Sequence, residues 1–323
     1  MRWLDRPFLV SVLVLALLPL VVPYTAIATN ILIFSIFAIG YNLLLGYTGL
    51  MSFGHGAFYG LGAYAAGFCL LGGFSIWVAI GAGVAAAAGG GVVIGYLSLR
   101  RSDIYFALLT LAFSQVLYFI ALQARKYTGG DDGLIGIPVS SLFGLDLSSP
   151  FTMYYFALAV FAACSYGARR LVNAPFGKAM QAIRENEDRA TACGYNTHGI
   201  KLTTFVISAA YGGVAGALFS IHIRFVPLDV LYWTMNGEVV FISIVGGLGT
   251  FFGPVVGAVA FILLHDMLQV IVERWELVVG AILIVFILFF QAGIVGTIEE
   301  RLAARRQRTA GREGARVGGG GRA

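Results

Sequence analysis

Ten apolar runs divide the chain, at roughly residues 8–22, 26–45, 50–71, 74–98, 104–123, 151–168, 202–221, 238–250, 255–270 and 277–297. Glu238 and Asp266 are the only Asp, Glu, Lys or Arg side chains within them. A helix that crosses the hydrocarbon core of a bilayer needs about 20 mainly apolar residues. The pattern therefore predicts an all-α polytopic membrane protein with about ten transmembrane segments, some broken or re-entrant. Composition agrees: of 323 residues 59% are hydrophobic and 11% charged, where a soluble domain carries about 25% charge. A soluble enzyme, a nucleic-acid-binding domain and a disordered chain are excluded. The net charge of +5 does not signal nucleic acid, because residues 299–323 alone hold seven Arg against three Glu.

Charge placement sets the expected topology. Loops flanking membrane spans carry their Lys and Arg mainly on the cytoplasmic side. With ten crossings and an inner N-terminus, the inner loops are 1–7, 46–49, 99–103, 169–201, 251–254 and 298–323, which hold 17 of the 21 Lys and Arg. Arg125, Lys126, Arg224 and Arg274 fall outside. Both termini are then cytoplasmic. Residues 1–298 form one transmembrane domain, and 299–323, ending in Gly318 to Gly321, form a disordered basic cytoplasmic tail. Ala26-Ile27-Ala28 resembles a signal-peptidase site, but nine further spans favour a retained signal-anchor helix.

Two runs read as interrupted. The run at 238–250 is short, and Ser52-Phe53-Gly54-His55-Gly56 is a poor helix start. Paired broken segments in the two halves of a chain are a feature of inverted-repeat transporters. Non-helical backbone at membrane depth is tolerated only within protein or beside a watery cavity. Ser52, Gly54 and His55, with Gly246, Gly247 and Gly249, are therefore candidates for lining a translocation path. The alternative for His55 is a polar side chain bonded to backbone that Gly54 and Gly56 free. Small-xxx-small spacings at Gly56/Gly60, Gly91/Gly95, Gly212/Gly216, Gly249/Gly253 and Gly253/Gly257 predict close helix packing.

The chemistry that is missing is as informative. No G-x-x-x-x-G-K-[ST] loop occurs, so any ATP that drives this chain must be bound by another subunit. His55, His198, His222 and His265 lack metal-ligand spacing, and Cys69, Cys164 and Cys193 are far apart. No catalytic residue, cofactor or metal is expected; the chain is not itself an enzyme. An ion-coupled secondary transporter usually needs membrane-embedded carboxylates. Here the deep spans hold Asn30, Asn42 and Gln115 instead.

The inner loop at 169–201 carries the most specific pattern. Pro175-Phe176-Gly177 precedes a helical stretch from Lys178 to Cys193, with Ala179, Ile183, Ala190 and Cys193 near one face. Glu185 and Arg189 are spaced for an i,i+4 pair, and Gly194 is placed as a helix-ending glycine. Such an amphipathic helix can lie on the membrane surface or dock in a groove of a partner.

Several blocks resemble one family. Residues 46–64, Gly46-Tyr47-Thr48-Gly49-Leu50-Met51-Ser52-Phe53-Gly54-His55-Gly56 and onward to Tyr64, are similar to the signature of branched-chain amino acid ABC permeases of the LivM-like branch. So are residues 105–111, Thr128-Gly129-Gly130 with Gly133-Leu134, and residues 245–250 with Gly253-Pro254 and Gly257-Ala258. The inner loop resembles that family's version of the EAA loop. The likeness spans about residues 26–298; Met51, Gly56 and the Arg/Gly tail depart from it. What it implies is a bacterial inner-membrane importer. Two permease subunits, LivM-like and LivH-like, would work with two ABC ATPases and a periplasmic substrate-binding protein. Residues 177–194 would be the coupling helix seated in an ATPase cleft, with Gly177, Ala182, Ile183, Arg184, Glu185, Glu187, Ala190 and Gly194 as its contacting positions. Transport would proceed by alternating access. The implied substrates are branched-chain amino acids, with urea, short-chain amides or other small organic solutes as the alternative.

Overall fold

A computed structural model describes residues 24–298, apart from 102, 139–140, 143–144, 272–274 and 290–292, together with residues 15–17 and 19. Helices account for nearly all of it: α1 (Thr25–Thr48), α2 (His55–Leu71), α3 (Ile76–Ser98), α4 (Asp103–Gln123), α5 (Pro150–Asn173), α6 (Pro175–Glu185), α7 (Glu187–Ala192), α8 (Thr197–Ile223), α9 (Trp233–Gly246), α10 (Gly253–Ile271) and α11 (Trp275–Phe289). Among the described residues, extended pairing is confined to a two-residue ladder (Ser141–Leu142 with Leu145–Asp146) and a Leu134–Val226 bridge. Six helices among the described residues are long and apolar enough to cross a membrane. The first predicted run is described only at residues 15–17 and 19, and the tail at 299–323 lies outside the described residues.

The helices form where uncharged sequence leaves no alternative to internal backbone hydrogen bonding in lipid. Their depth in the bundle is set by packing partners and not by apolarity, since α1 and α4 are about equally apolar. In α1 the most apolar window is 83% buried, against 28% in α4. The central helix α1 packs on α5, α8 and α10. Around it, α2, α3 and α8 form a tight group. Glycines permit the approach: a methyl group on Gly216 would strike the Tyr59 carbonyl, and one on Gly257 the Ile242 carbonyl. The predicted small-residue contacts are thus present.

Helices α2 and α9 are each too short to span about 30 Å of hydrocarbon. At 1.5 Å per residue, the 17 residues of α2 reach about 25 Å and the 14 of α9 about 21 Å. Irregular backbone supplies the remainder. Residues 49–54 climb from the end of α1 into the bundle before α2 begins, as the poor helix start predicts. At the opposite end of the bundle, residues 224–232 tuck inward, with Val226, Leu228, Val230 and Leu231 buried. Leu134 and Val226 exchange N–H···O bonds of 2.9 and 3.0 Å there. The sequence places 222–237 in a loop, so this burial is a finding of the structure.

Candidate functional site

The inner-loop segment is a pair of helices, not one. Asn186 leaves the helical region (φ −164°, ψ 109°) and its side-chain oxygen accepts from the Arg189 N–H at 2.9 Å. That bond caps α7 and ends α6, since Asn competes well for the free N–H groups of a helix start. The expected continuous helix from Lys178 to Cys193 is therefore divided, and Glu185 and Arg189 fall on different helices instead of forming an i,i+4 pair. The carboxylate that finds a partner is that of Glu187, which pairs with Lys201 at the foot of α8. Gly194 takes φ +88° after the last turn of α7 and ends it as expected.

Burial sorts the predicted contact positions. Gly177 lies against the end of α5, where a methyl would strike the Val172 carbonyl. Ile183 and Ala190 are buried and Ala182 partly so, while Arg184, Glu185, Glu187 and Gly194 are exposed. Cys193, expected near the same face as Ala190, is exposed; it lies beyond the last residue of α7. Met180, wholly buried and one turn before Ile183, is the main anchor of α6 and was not singled out in the sequence. Its i, i+3 spacing to Ile183 was the available signal.

Arg184 turns toward the bundle. Its side chain runs over Gly49, and its Nη1 donates to the carbonyl of Gly46. One turn earlier on α1, the Asn42 amide makes two bonds to the second interrupted segment. Its Oδ1 accepts from the Gly249 N–H at 2.9 Å and its Nδ2 donates to the Thr250 carbonyl at 2.9 Å. Thr250 closes the turn by donating to the Gly247 carbonyl at 2.8 Å and accepting from the Gly253 N–H at 3.1 Å. The 247–252 segment thus sits at the same end of the bundle as α6 and α7.

The first interrupted segment is a buried hydrogen-bond hub. Ser208 Oγ lies 2.6 Å from the Gly40 carbonyl, which can only accept, so its proton points there. Its lone pair then receives His55 Nε2–H at 2.7 Å, and His55 Nδ1 accepts from Ser52 Oγ at 3.1 Å. The Gly54 N–H donates to Ser52 Oγ (3.2 Å), and the Phe53 N–H to Thr110 Oγ1 (3.1 Å). Asn236, on α9, takes the Gly56 N–H at 2.6 Å and so caps α2. Tyr41, Phe58 and Phe205 surround the imidazole edge-on.

Of the path candidates, Ser52, Gly54, His55, Gly246 and Gly247 are buried and Gly249 is partly exposed. The structure joins Ser52 to His55 and Gly249 to Asn42, and bridges the two interrupted segments through α1, through Arg184, and through α9, which begins near Asn236 and ends at Gly246. His55 bonds two serine hydroxyls and not the backbone beside it; the Gly54 and Gly56 N–H groups go to Ser52 and Asn236 instead. The open surface beside the break is a groove of about 350 Å³ formed by Gly49, Met51 and Phe53 with Ile104, Ala107 and Leu108. Among the described residues no cluster of metal-ligating side chains occurs.

This architecture is that of a polytopic permease. Residues 24–288 match the family model described as "Branched-chain amino acid transport system / permease component", and the chain belongs to that family. It is 29% identical over 320 residues to the high-affinity branched-chain amino acid transport system permease protein LivM of Escherichia coli K12, covering 90% of this chain and 75% of that protein. The probable LivM permease of Methanocaldococcus jannaschii is 25% identical over 193 residues, 56% of this chain and 53% of that one. The LivH permease of Salmonella typhimurium is 26% identical over 298 residues, 82% of this chain and 92% of its own. No solved structure matches. The chain is accordingly a multi-pass membrane permease subunit, not itself an enzyme.

Proposed function

We propose that this chain is a transmembrane subunit of an ATP-driven importer of branched-chain amino acids. It resides in the bacterial inner membrane with ten crossings and both termini in the cytoplasm, the tail at 299–323 included. A LivH-like permease, two ABC ATPases and a periplasmic binding protein complete the transporter. The observation that carries the reading is the α6–α7 pair. It projects from one end of the bundle, fixed inward by Met180, Ile183 and Ala190, while Glu185, Asp188 and Arg189 remain exposed. A firmly rooted, charged-faced element of this kind suits a partner's groove better than a lipid surface. ATP closes the ATPase pair, the coupling segments approach one another, and the spans reorient. Nucleotide shifts that equilibrium only as far as the two states differ in affinity for the ATP-bound partner.

The test is co-purification with the ATPases and uptake of labelled leucine into vesicles. The expected result is ATP-dependent uptake, insensitive to uncoupler and competed by isoleucine and valine but not by urea. Retention of both ATPase association and uptake on substitution of Glu187 and Gly194 would remove the coupling assignment. Uncoupler-sensitive uptake without ATP would favour an ion-coupled carrier. Competition by urea alone would replace the substrate class.

A further inference from the structure

One side chain stands where three elements meet. The carbonyl of Gly46 lies in the last turn of α1, where helical carbonyls have no N–H four residues on to receive. The neighbouring carbonyls of Leu44 and Leu45 are taken by the Leu50 and Gly49 N–H groups, and α1 has no basic residue of its own in that turn. Arg184 supplies the missing donor from α6, together with a positive charge at the negative end of the helix dipole. The same α1 turn abuts the second interrupted segment: a methyl on Gly46 would lie 2.6 Å from the Gly249 nitrogen. A methyl on Gly249, which has φ +75°, would lie 2.9 Å from Arg184 Nη1. Asn42 completes the joint by clasping Gly249 and Thr250. Arg184 therefore touches the end of α1, the Gly49 turn that opens the first interrupted segment, and the Gly249 turn of the second.

We infer that Arg184 is a positioning residue that transmits movement of the α6–α7 pair to the end of α1 and to the second interrupted segment, and is not part of the surface that an ATPase contacts. The inference rests on the coupling role proposed above and reassigns one of its residues. Displacement of α6 toward or away from the bundle must either carry the Gly46 turn with it or break the Arg184 bond. A guanidinium suits the task because its several fixed donors can hold one carbonyl while sliding past another. Asn42 passes the displacement on to Gly249 and Thr250.

The experiment uses the whole transporter, this chain with its partner permease, ATPases and binding protein, reconstituted in proteoliposomes with labelled leucine. Three quantities are read: ATPase co-purification, ATP hydrolysis, and leucine moved per ATP hydrolysed. In Arg184→Ala, co-purification and hydrolysis are expected to stay near wild type while the transport ratio falls about tenfold, the size of a coupling defect of one to two kcal/mol. Arg184→Lys, which keeps a cationic donor, restores part of the ratio. Asn42→Ala gives the same uncoupling from the other side of the joint, and the double variant is no worse than the more severe single one. Asn42→Ala carries the test should Arg184→Ala fail to assemble. Loss of ATPase association in Arg184→Ala, with Asn42→Ala unaffected in transport, would make Arg184 a docking residue and overturn the inference. An unchanged transport ratio in both variants would overturn it too. Absence of ATPase association with the unaltered chain would instead remove the underlying functional reading.

Discussion

The two interrupted segments are both glycine-rich and both rest against the C-terminal half of α1, yet they are secured in opposite ways. Residues 49–54 are held from within the core. Ser52 and His55 have no exposed surface; Ser208, which bonds His55, and Thr110, which accepts from the Phe53 N–H, are short hydroxyl side chains that are equally buried. Residues 247–252 are held from a distance by longer side chains: Asn42 from α1, Arg184 from α6, and the Arg169 guanidinium 5.8 Å from the Phe251 ring centroid. Short buried groups in a close-packed interior cannot shift without opening it. Longer side chains can follow a displaced partner by changing rotamer. The first segment is therefore an anchor and the second a joint.

The contrast can be broken from the anchor side first. His55→Ala leaves Ser52 and Ser208 facing a ring-sized void. It is expected to cost about 3 kcal/mol in cavity and lost hydrogen bonds, read as a large drop in the thermal midpoint of the detergent-solubilised protein. An unchanged midpoint would deny the segment its anchoring role. Asn236→Ala strips the buried Gly56 N–H of its acceptor and should cost about 2 kcal/mol by the same measurement. On the joint side, Gly249→Ala adds a methyl 2.9 Å from Arg184 at a left-handed φ. The strain is about 1 kcal/mol, so the midpoint moves little while leucine uptake falls; a midpoint loss as large as that of His55→Ala would erase the distinction. Asn186→Ala removes the cap of α7 at roughly 1 kcal/mol, confined to that helix and visible as faster amide exchange over 187–192. Smallest of all, Lys201→Gln breaks a partly exposed ion pair worth less than about 1 kcal/mol, an effect that added salt should hide.

The long helices were legible because hydrophobic length and charge placement are properties of short stretches of sequence. The late start of α2 was legible for the same reason: Ser52, Gly54 and Gly56 all disfavour a helix interior. What escaped was decided at long range or by competition between local signals. The division at Asn186 was written as Asn followed by Glu187 and Asp188, an ordinary helix-start pattern. It lost to the longer amphipathic period that runs through it. Asn42 stood out as polar within an apolar span, but its partners lie more than 200 residues away. The inward tuck of 224–232 is hidden because Arg224, Pro227 and Asp229 look like ordinary loop residues. The Leu134–Val226 bonds and the packing of Leu231 against Gly60 reveal it. In the site, the glycines were found together with Ser52, His55 and Arg184, whereas Asn236, Ser208 and Thr110, which complete the bonding, were not.

The pairing of Glu187 with Lys201 has a mechanical consequence. Lys201 sits in the second turn of α8, and α7 meets the same helix foot again where Thr191 and Thr197 lie 3.4 Å apart. The 27 residues of α8 make a stiff rod about 40 Å long. A push on α7 that tilts this rod by about 5° about Ser208, where the buried hub holds it, sweeps its far tip sideways by about 2 Å, from the rise per residue alone. That tip is Ile223, next to Arg224 and the inward-tucked 224–232. A nudge on one face of the molecule can thus be delivered to the other by leverage, through a single lever with its handle outside the bundle.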